Sequence, residues 1–473
     1  MSLQSDNLGA ETKPEAETIA FPPGFLWGAA TAAFQIEGST TADGRTESIW
    51  DAFCRKPGAV VNGDTGEPGA DHYRRVGEDV ELMRELGLGA YRFSIAWPRV
   101  RPDGGAPNAR GVDFYDKLVD RLLAAGIAPW ATLYHWDLPQ ALEEDGGWAN
   151  RDTAYLFAEY AETILSKLGD RVTSWTTLNE PWCASMLGYG NGGHAPGRTE
   201  PAAAVAAAHH LLLGHGLAMD AIRRHAPGSL ASITLNLFPT APSDPDSAAD
   251  IEAVRKVDGL QNRLFLDPVL RGSYPADVVA DLAEFGLDEL VQDGDLAIIS
   301  APLDLLGVNY YRGYQVTGTA RDDAEPAGLD WPGARDVYFV TDPALPRTDS
   351  GWVVQPDGLT DMLLQVHREY PGIPLYITEN GASYPDDVQD GGEVNDQDRV
   401  AFLDSHLRAA HAAIGAGVDL RGYFYWSLLD NFEWAEGYAK RFGIVHVDYR
   451  TQVRTPKRSA RWYAEVINRN GIG

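Results

Sequence analysis

Eight short runs of β-prone, largely apolar residues alternate with helix-like segments along this chain, and that alternation narrows the possible folds more than any other feature. The runs occupy residues 25–38, 90–97, 128–136, 174–181, 231–238, 303–311, 375–381 and 420–428. Helical patterns lie between them at 77–86, 112–125, 153–168, 202–225 and 398–416. Strands alternating with helices argue for a parallel sheet, and eight is the number that closes a barrel. The expected fold is α/β, a single (β/α)8 TIM barrel with long loops at the catalytic end. An open doubly wound sheet is the alternative, and it needs a phosphate loop that opens a helix. Gly188, Gly190 and Gly193 fit G-x-G-x-x-G, but His194-Ala195-Pro196-Gly197 follows, so the stretch reads as a loop beside residue 180.

In such a barrel catalytic groups sit at the carboxyl ends of the strands. Here those ends carry Gln35, Arg92, His135, Asn179 with Glu180, Asn236, Tyr311, Glu379 and Trp426. Two of the runs stop on a carboxylate. Leu375-Tyr376-Ile377-Thr378 leads into Glu379-Asn380-Gly381, and Ser174-Trp175-Thr176-Thr177-Leu178 leads into Asn179-Glu180-Pro181. One strand-end glutamate is usually a cap or a solvent contact. Two far apart in sequence supply the acid and the nucleophile or base that cleavage of a glycosidic bond requires.

Thr177-Leu178-Asn179-Glu180-Pro181 and Ile377-Thr378-Glu379-Asn380-Gly381 closely resemble the acid/base and nucleophile motifs of glycoside hydrolase family 1, the β-glucosidases and their relatives. Leu178 stands where that family more often has Phe, in a supporting apolar position. The resemblance extends from Phe21 to Tyr463. It implies a retaining β-glucosidase acting on cellobiose, short cello-oligosaccharides and aryl or alkyl β-glucosides, with Glu180 as acid/base and Glu379 as nucleophile. Arg92 and Tyr311 would support Glu379. Gln35, His135, Asn179 and Glu433 would hold sugar hydroxyls, Trp426 would floor the innermost subsite, and Trp434 would add a contact. Asn236 would stand beside the acid and Trp352 at the leaving-group entrance. Retention requires the two carboxyl groups about 5–5.5 Å apart and a raised pKa at Glu180. The resemblance leaves β-galactosidase or β-fucosidase specificity open. A sugar-binding barrel without turnover, or a metal-dependent barrel enzyme, would lack a catalytic carboxylate or show clustered ligands.

Composition bounds the partners. With 39 basic and 68 acidic residues the formal charge is −29, which disfavours nucleic acid and anionic membranes and is indifferent to a neutral sugar. Thirteen Trp residues suit stacking on sugar faces as well as packing. Cys54 and Cys183 are the only cysteines, too few for a disulfide framework or a metal site. No cofactor is expected, and a cytoplasmic location is. Residues 1–20 read as a disordered acidic tail, 21–466 as the barrel domain and 467–473 as a C-terminal tail. The apolar stretch from 202 to 219 reads as an alanine-rich helix too polar to span a membrane. The long connection 312–357, rich in Pro, Asp and Gly, is expected at the catalytic end.

Overall fold

The computed structural model describes residues 19–386, 388–389 and 392–473. The expected tail at 1–20 lies outside the described residues except for Ile19 and Ala20. Leu26–Ala30 (β1), Ala90–Ser94 (β2), Ala128–Tyr134 (β3), Ser174–Asn179 (β4), Leu230–Asn236 (β5), Leu305–Asn309 (β6), Leu375–Asn380 (β7) and Leu420–Trp426 (β8) pair in parallel in chain order, and β8 closes onto β1. Helices cover the barrel's outside, so the strands are buried on both faces, which accounts for runs that are apolar throughout instead of alternating.

Each strand is shorter than its sequence run because the chain turns as soon as it leaves the barrel. Residues 25–38 are a strand only to Ala30; Ala33–Ile36 is a helical turn that carries Gln35. The run 90–97 stops at Ser94, and Trp97 opens a helix whose second residue is proline, a position where no backbone N–H is needed. Of the stretch 188–193 read as a loop, residues 188–190 instead close a π-helix, Cys183–Gly190, a wide turn often found beside functional sites, and 191–193 are irregular.

The connection 312–357 has structure of its own. Tyr314–Thr317, Ala324–Pro326 and Tyr338–Val340 join Thr240–Pro242 in a four-stranded sheet that rises over the carboxyl ends of the barrel strands.

The C-terminal boundary at 466 is too early. The final helix runs from Arg458 to Arg469, and Tyr463 on it donates from Oη to the carbonyl of Gly28 in β1 at 2.9 Å. Gly471 and Ile472 then pair antiparallel with Ala20 and Ile19, and Ile472 is fully buried. Asn470, in the left-handed conformation that ends the helix, accepts from Trp27 Nε1 and donates to Phe21 O. The segment 467–472 therefore belongs to the domain.

Pro201–His225 is long and apolar enough by composition alone to cross a membrane, so polarity is not what distinguishes it. Burial is. Most of it is covered, with Asp152–Leu168 among its neighbours. Its histidines are tied down locally: His209 to Asp295 and Tyr274, His210 to the carbonyl of Trp148, and His215 to Thr177.

Candidate active site

Both glutamate strands lose regular pairing near their ends. The register of β4 against β5 shifts between Thr176 and Asn179, and that of β7 against β6 shifts between Ile377 and Glu379. Such irregularities re-aim side chains at barrel rims. Glu180 then takes a left-handed backbone (φ 49°), as do Trp136 (φ 75°) and Trp434 (φ 52°). Non-glycine residues hold that conformation at a cost, and three of them border one cleft. Gly381, directly after β7, has no room for a side chain: a Cβ there would lie 1.8 Å from the carbonyl oxygen of Trp426. Without a side chain at Gly381 the ends of β7 and β8 can pass this close to each other.

The cleft opens at the carboxyl ends of the strands, with a volume of about 670 Å³. Glu180, Glu379, His135, Trp426, Glu433 and Trp434 line its inner end. Glu379 Oε1 accepts from Arg92 Nη1 at 2.6 Å, and Oε2 accepts from Tyr311 Oη at 2.7 Å. Arg92, fully buried, uses Nη2 to hold Asn179 Oδ1 at 2.6 Å. Glu180 has a different set of neighbours. Its Oε1 accepts from Asn309 Nδ2 at 2.6 Å, and no cation pairs with it among the described residues. Burial, and after it the charge of Glu379, push the Glu180 carboxyl up to about 8. Burial also raises Glu379, but Arg92 and the Tyr311 hydroxyl oppose it. Glu379 is therefore the member of the pair that ionises first.

Around the carboxyls lies a polar ring that the protein only partly satisfies. Asn179 Oδ1 is taken by Arg92 and Asn309, and its Nδ2 donates to His135 Nε2 at 3.1 Å, so one amide hydrogen remains for a ligand. Accepting from Asn179 leaves the His135 proton on Nδ1, which is buried and, among the described residues, without a partner. Burial and then the charge of Arg92 hold this imidazole well below its usual range, so it is neutral. Gln35 donates from Nε2 to Phe432 O (2.8 Å) and to Glu433 Oε2 (3.4 Å), while its Oε1 is buried and has no partner among the described residues. Asn431 Nδ2 donates to Glu433 Oε2 at 2.9 Å, and burial pushes the Glu433 carboxyl up to about 8. Orphaned buried polar atoms are costly unless something partners them, and these are arranged to meet the hydroxyls of a bound molecule. Trp426 lies parallel to His135 (5.7 Å, 19°), and Trp434 packs on Trp136, Phe34 and His135.

All the residues expected at the site thus gather at one end of the barrel. Asn236 lies on the cleft wall with its Nδ2 3.5 Å from Cys183 Sγ, and Trp352 sits edge-on to Tyr311 at 5.3 Å. The sequence reading missed Asn309, which bonds Glu180 and Asn179 and accepts from Thr378 Oγ1. Its signal was there, since Asn309-Tyr310-Tyr311 ends the sixth run. Trp182, Trp331 and Phe442, which line the outer cleft, carry no such signal because separate loops bring them in.

Asp386, Asp430 and His446 converge closely enough to hold a metal ion. The positions are taken: Lys457 Nζ donates to both carboxylates at 2.8 Å, and Arg441 Nη1 lies 2.5 Å from Asp430. The cluster is an ion-pair network beneath the loop that carries Trp426 and Glu433.

A closed parallel barrel with two buried, differently supported carboxyl groups in one hydroxyl-seeking cleft defines a glycosidase. The chain belongs to glycosyl hydrolase family 1, whose model matches residues 17–472. It is 50% identical to the thermostable β-glucosidase B of Thermobispora bispora, over 98% of this chain and 94% of that one. A bifunctional β-D-glucosidase/β-D-fucosidase of Bifidobacterium breve is 47% identical, over 95% and 98% of the two chains. Among solved structures, the psychrophilic β-glucosidase of Micrococcus antarcticus superposes with a TM-score of 0.93 at 54% identity, covering 95% of this chain and 98% of that one.

Proposed function

We propose that this glycosidase is a retaining β-glucosidase that releases terminal β-D-glucosyl residues from cellobiose, short cello-oligosaccharides and aryl or alkyl β-glucosides. The observation that carries the reading is the unequal support of the two carboxyls: Glu379 has the Arg92 cation and the Tyr311 hydroxyl, whereas Glu180 has only the neutral Asn309 amide and Cys183 thiol, with no cation paired to it among the described residues. Glu379, ionised, attacks the anomeric carbon while protonated Glu180 gives its proton to the leaving oxygen. The bond from Glu379 to the sugar removes the charge that raises Glu180. With that charge gone the Glu180 pKa falls, and its carboxylate takes a proton from water as the water oxygen bonds to the anomeric carbon and the bond to Glu379 breaks, releasing the sugar with retained configuration and Glu379 as a carboxylate. Solved relatives from Thermotoga maritima in complex with isofagomine lactam and with glucoimidazole support a sugar-sized occupant.

Glu433 supports a neutral sugar. Two hydroxyls donating to it favour its ionised form, whereas a phosphorylated sugar would bury a dianion beside a carboxyl already raised by burial and would raise it further. The test is a panel of chromogenic aryl β-glycosides with purified enzyme. The glucoside is expected to lead in kcat/KM, ahead of galactoside and fucoside, and the 6-phosphoglucoside to be the poorest. Preference for the phosphorylated sugar, or no turnover of any member, contradicts the reading.

A further inference from the structure

Arg312 follows Tyr311 directly beyond β6 and lines the outer cleft together with Cys183, Tyr314, Trp331 and Trp352. Its guanidinium lies 5.1 Å from the Tyr314 ring centre and 5.4 Å from that of Trp352. Two aromatic rings therefore fix a planar cation on the wall where the leaving group departs. The group is half-buried, and its one hydrogen bond to the protein, among the described residues, is a long one from Nη2 to Tyr314 Oη (3.4 Å). A guanidinium has five N–H donors, so most of this one's capacity is unspent.

No carboxylate pairs with Arg312 among the described residues, although acidic groups outnumber basic ones 68 to 39 and Arg92, Arg99, Arg255 and Arg263 each hold one or more. Acids do share the cleft: Asp330, Glu325 and Glu436 line its outer part and Glu180, Glu379 and Glu433 its inner end; Asp330 feels the charge of Arg312, but among the described residues none of them forms an ion pair with it. Asp330 is turned to Asn191 and Trp331, with burial raising its pKa. A positioned, unpaired guanidinium matches a carboxylate, which accepts two parallel N–H bonds. The neighbouring acids and the −29 net charge favour a single negative charge over the two of a phosphate monoester.

We propose that Arg312 makes the leaving-group side of the cleft selective for β-glucosides whose aglycone carries a carboxylate. The proposal rests on the β-glucosidase reading and extends it to the part of the substrate that leaves. The test compares 4-carboxyphenyl β-D-glucoside with its neutral 4-carbamoylphenyl analogue, using the wild type and Arg312→Gln. The quantity read is the ratio of the two kcat/KM values within each protein, so any loss shared by both substrates cancels. The ratio is expected to fall about tenfold in Arg312→Gln, the equivalent of ~1.4 kcal/mol. High salt should lower the wild-type ratio and leave that of the variant unchanged. A ratio equal in the two proteins, or one insensitive to salt in the wild type, overturns the assignment. Turnover of neither glucoside by the wild type instead overturns the reading beneath it.

Discussion

Glu180 and Glu379 are the same side chain in the same cleft, and their neighbours alone set them apart. Arg92 and Tyr311 make Glu379 the anion, and burial beside that anion keeps Glu180 protonated up to about pH 8. The acid limb of kcat/KM against pH should therefore report Glu379 and the alkaline limb, near pH 8, Glu180, both as macroscopic values of a coupled pair. Glu180→Ala should lose the alkaline limb. It should also lose far more activity on cellobiose than on a dinitrophenyl glucoside, whose leaving group departs without a proton; general acid catalysis is worth about 10²–10⁴-fold. Steady-state kinetics on both substrates checks this, and equal losses contradict the acid role.

At the scale of elements, the barrel was legible because each strand is an uninterrupted apolar run that ends in chemistry: Glu180 and Glu379 were found from the strands that carry them. What a local pattern could not show was how far each strand extends. Gln35 sits on a helical turn after Ala30, not on a strand, because Ala33–Ile36 makes only four residues of helix and no period. Asn309 carried the same signal as the other strand-end residues, but its particular role, a bond to Glu180, shows only through its contacts to β4 and β7. The segment 467–472 read as a tail because its partner, Ile19–Ala20, is more than 450 residues away in sequence. The same limit hid the support of the Trp426–Trp434 loop. Asp430 in that loop accepts from buried Lys457, from Arg441, and from the backbone N–H groups of Gly443 and Val447. Asp430→Asn keeps the shape and removes the charge, which should cost about 3 kcal/mol or more, as breaking a buried ion pair does. Urea unfolding measures it, and a loss below about 1 kcal/mol would show that Asp386 suffices for Lys457.

Over the whole molecule, burial and charge pull stability in opposite directions with pH. Asp137 is buried, and among the described residues neither carboxyl oxygen has a partner; burial pushes it up to about 8 from an ordinary 3.8. A carboxyl raised on folding contributes stability that is full below about pH 4 and is lost as pH rises through about 8. Asp295, paired with Arg151, is lowered to about 2, and its contribution runs the other way, full above about pH 4 and lost as pH falls toward 2. Asp137→Asn should therefore gain melting temperature over the wild type progressively between pH 5 and pH 8. A difference that does not change with pH would mean that Asp137 is not titrating in that window.

The division of labour between the two glutamates is tested most directly by azide rescue. Glu379→Ala should be inactive because no covalent intermediate forms, and azide should restore turnover of an activated aryl glucoside as the inverted α-glucosyl azide. Glu180→Ala, which still forms the intermediate, should yield the β-glucosyl azide. The configuration is read by NMR from the coupling at the anomeric proton. A β product from the Glu379 variant, or undiminished hydrolysis without azide, would contradict the assignment of Glu379 as the nucleophile.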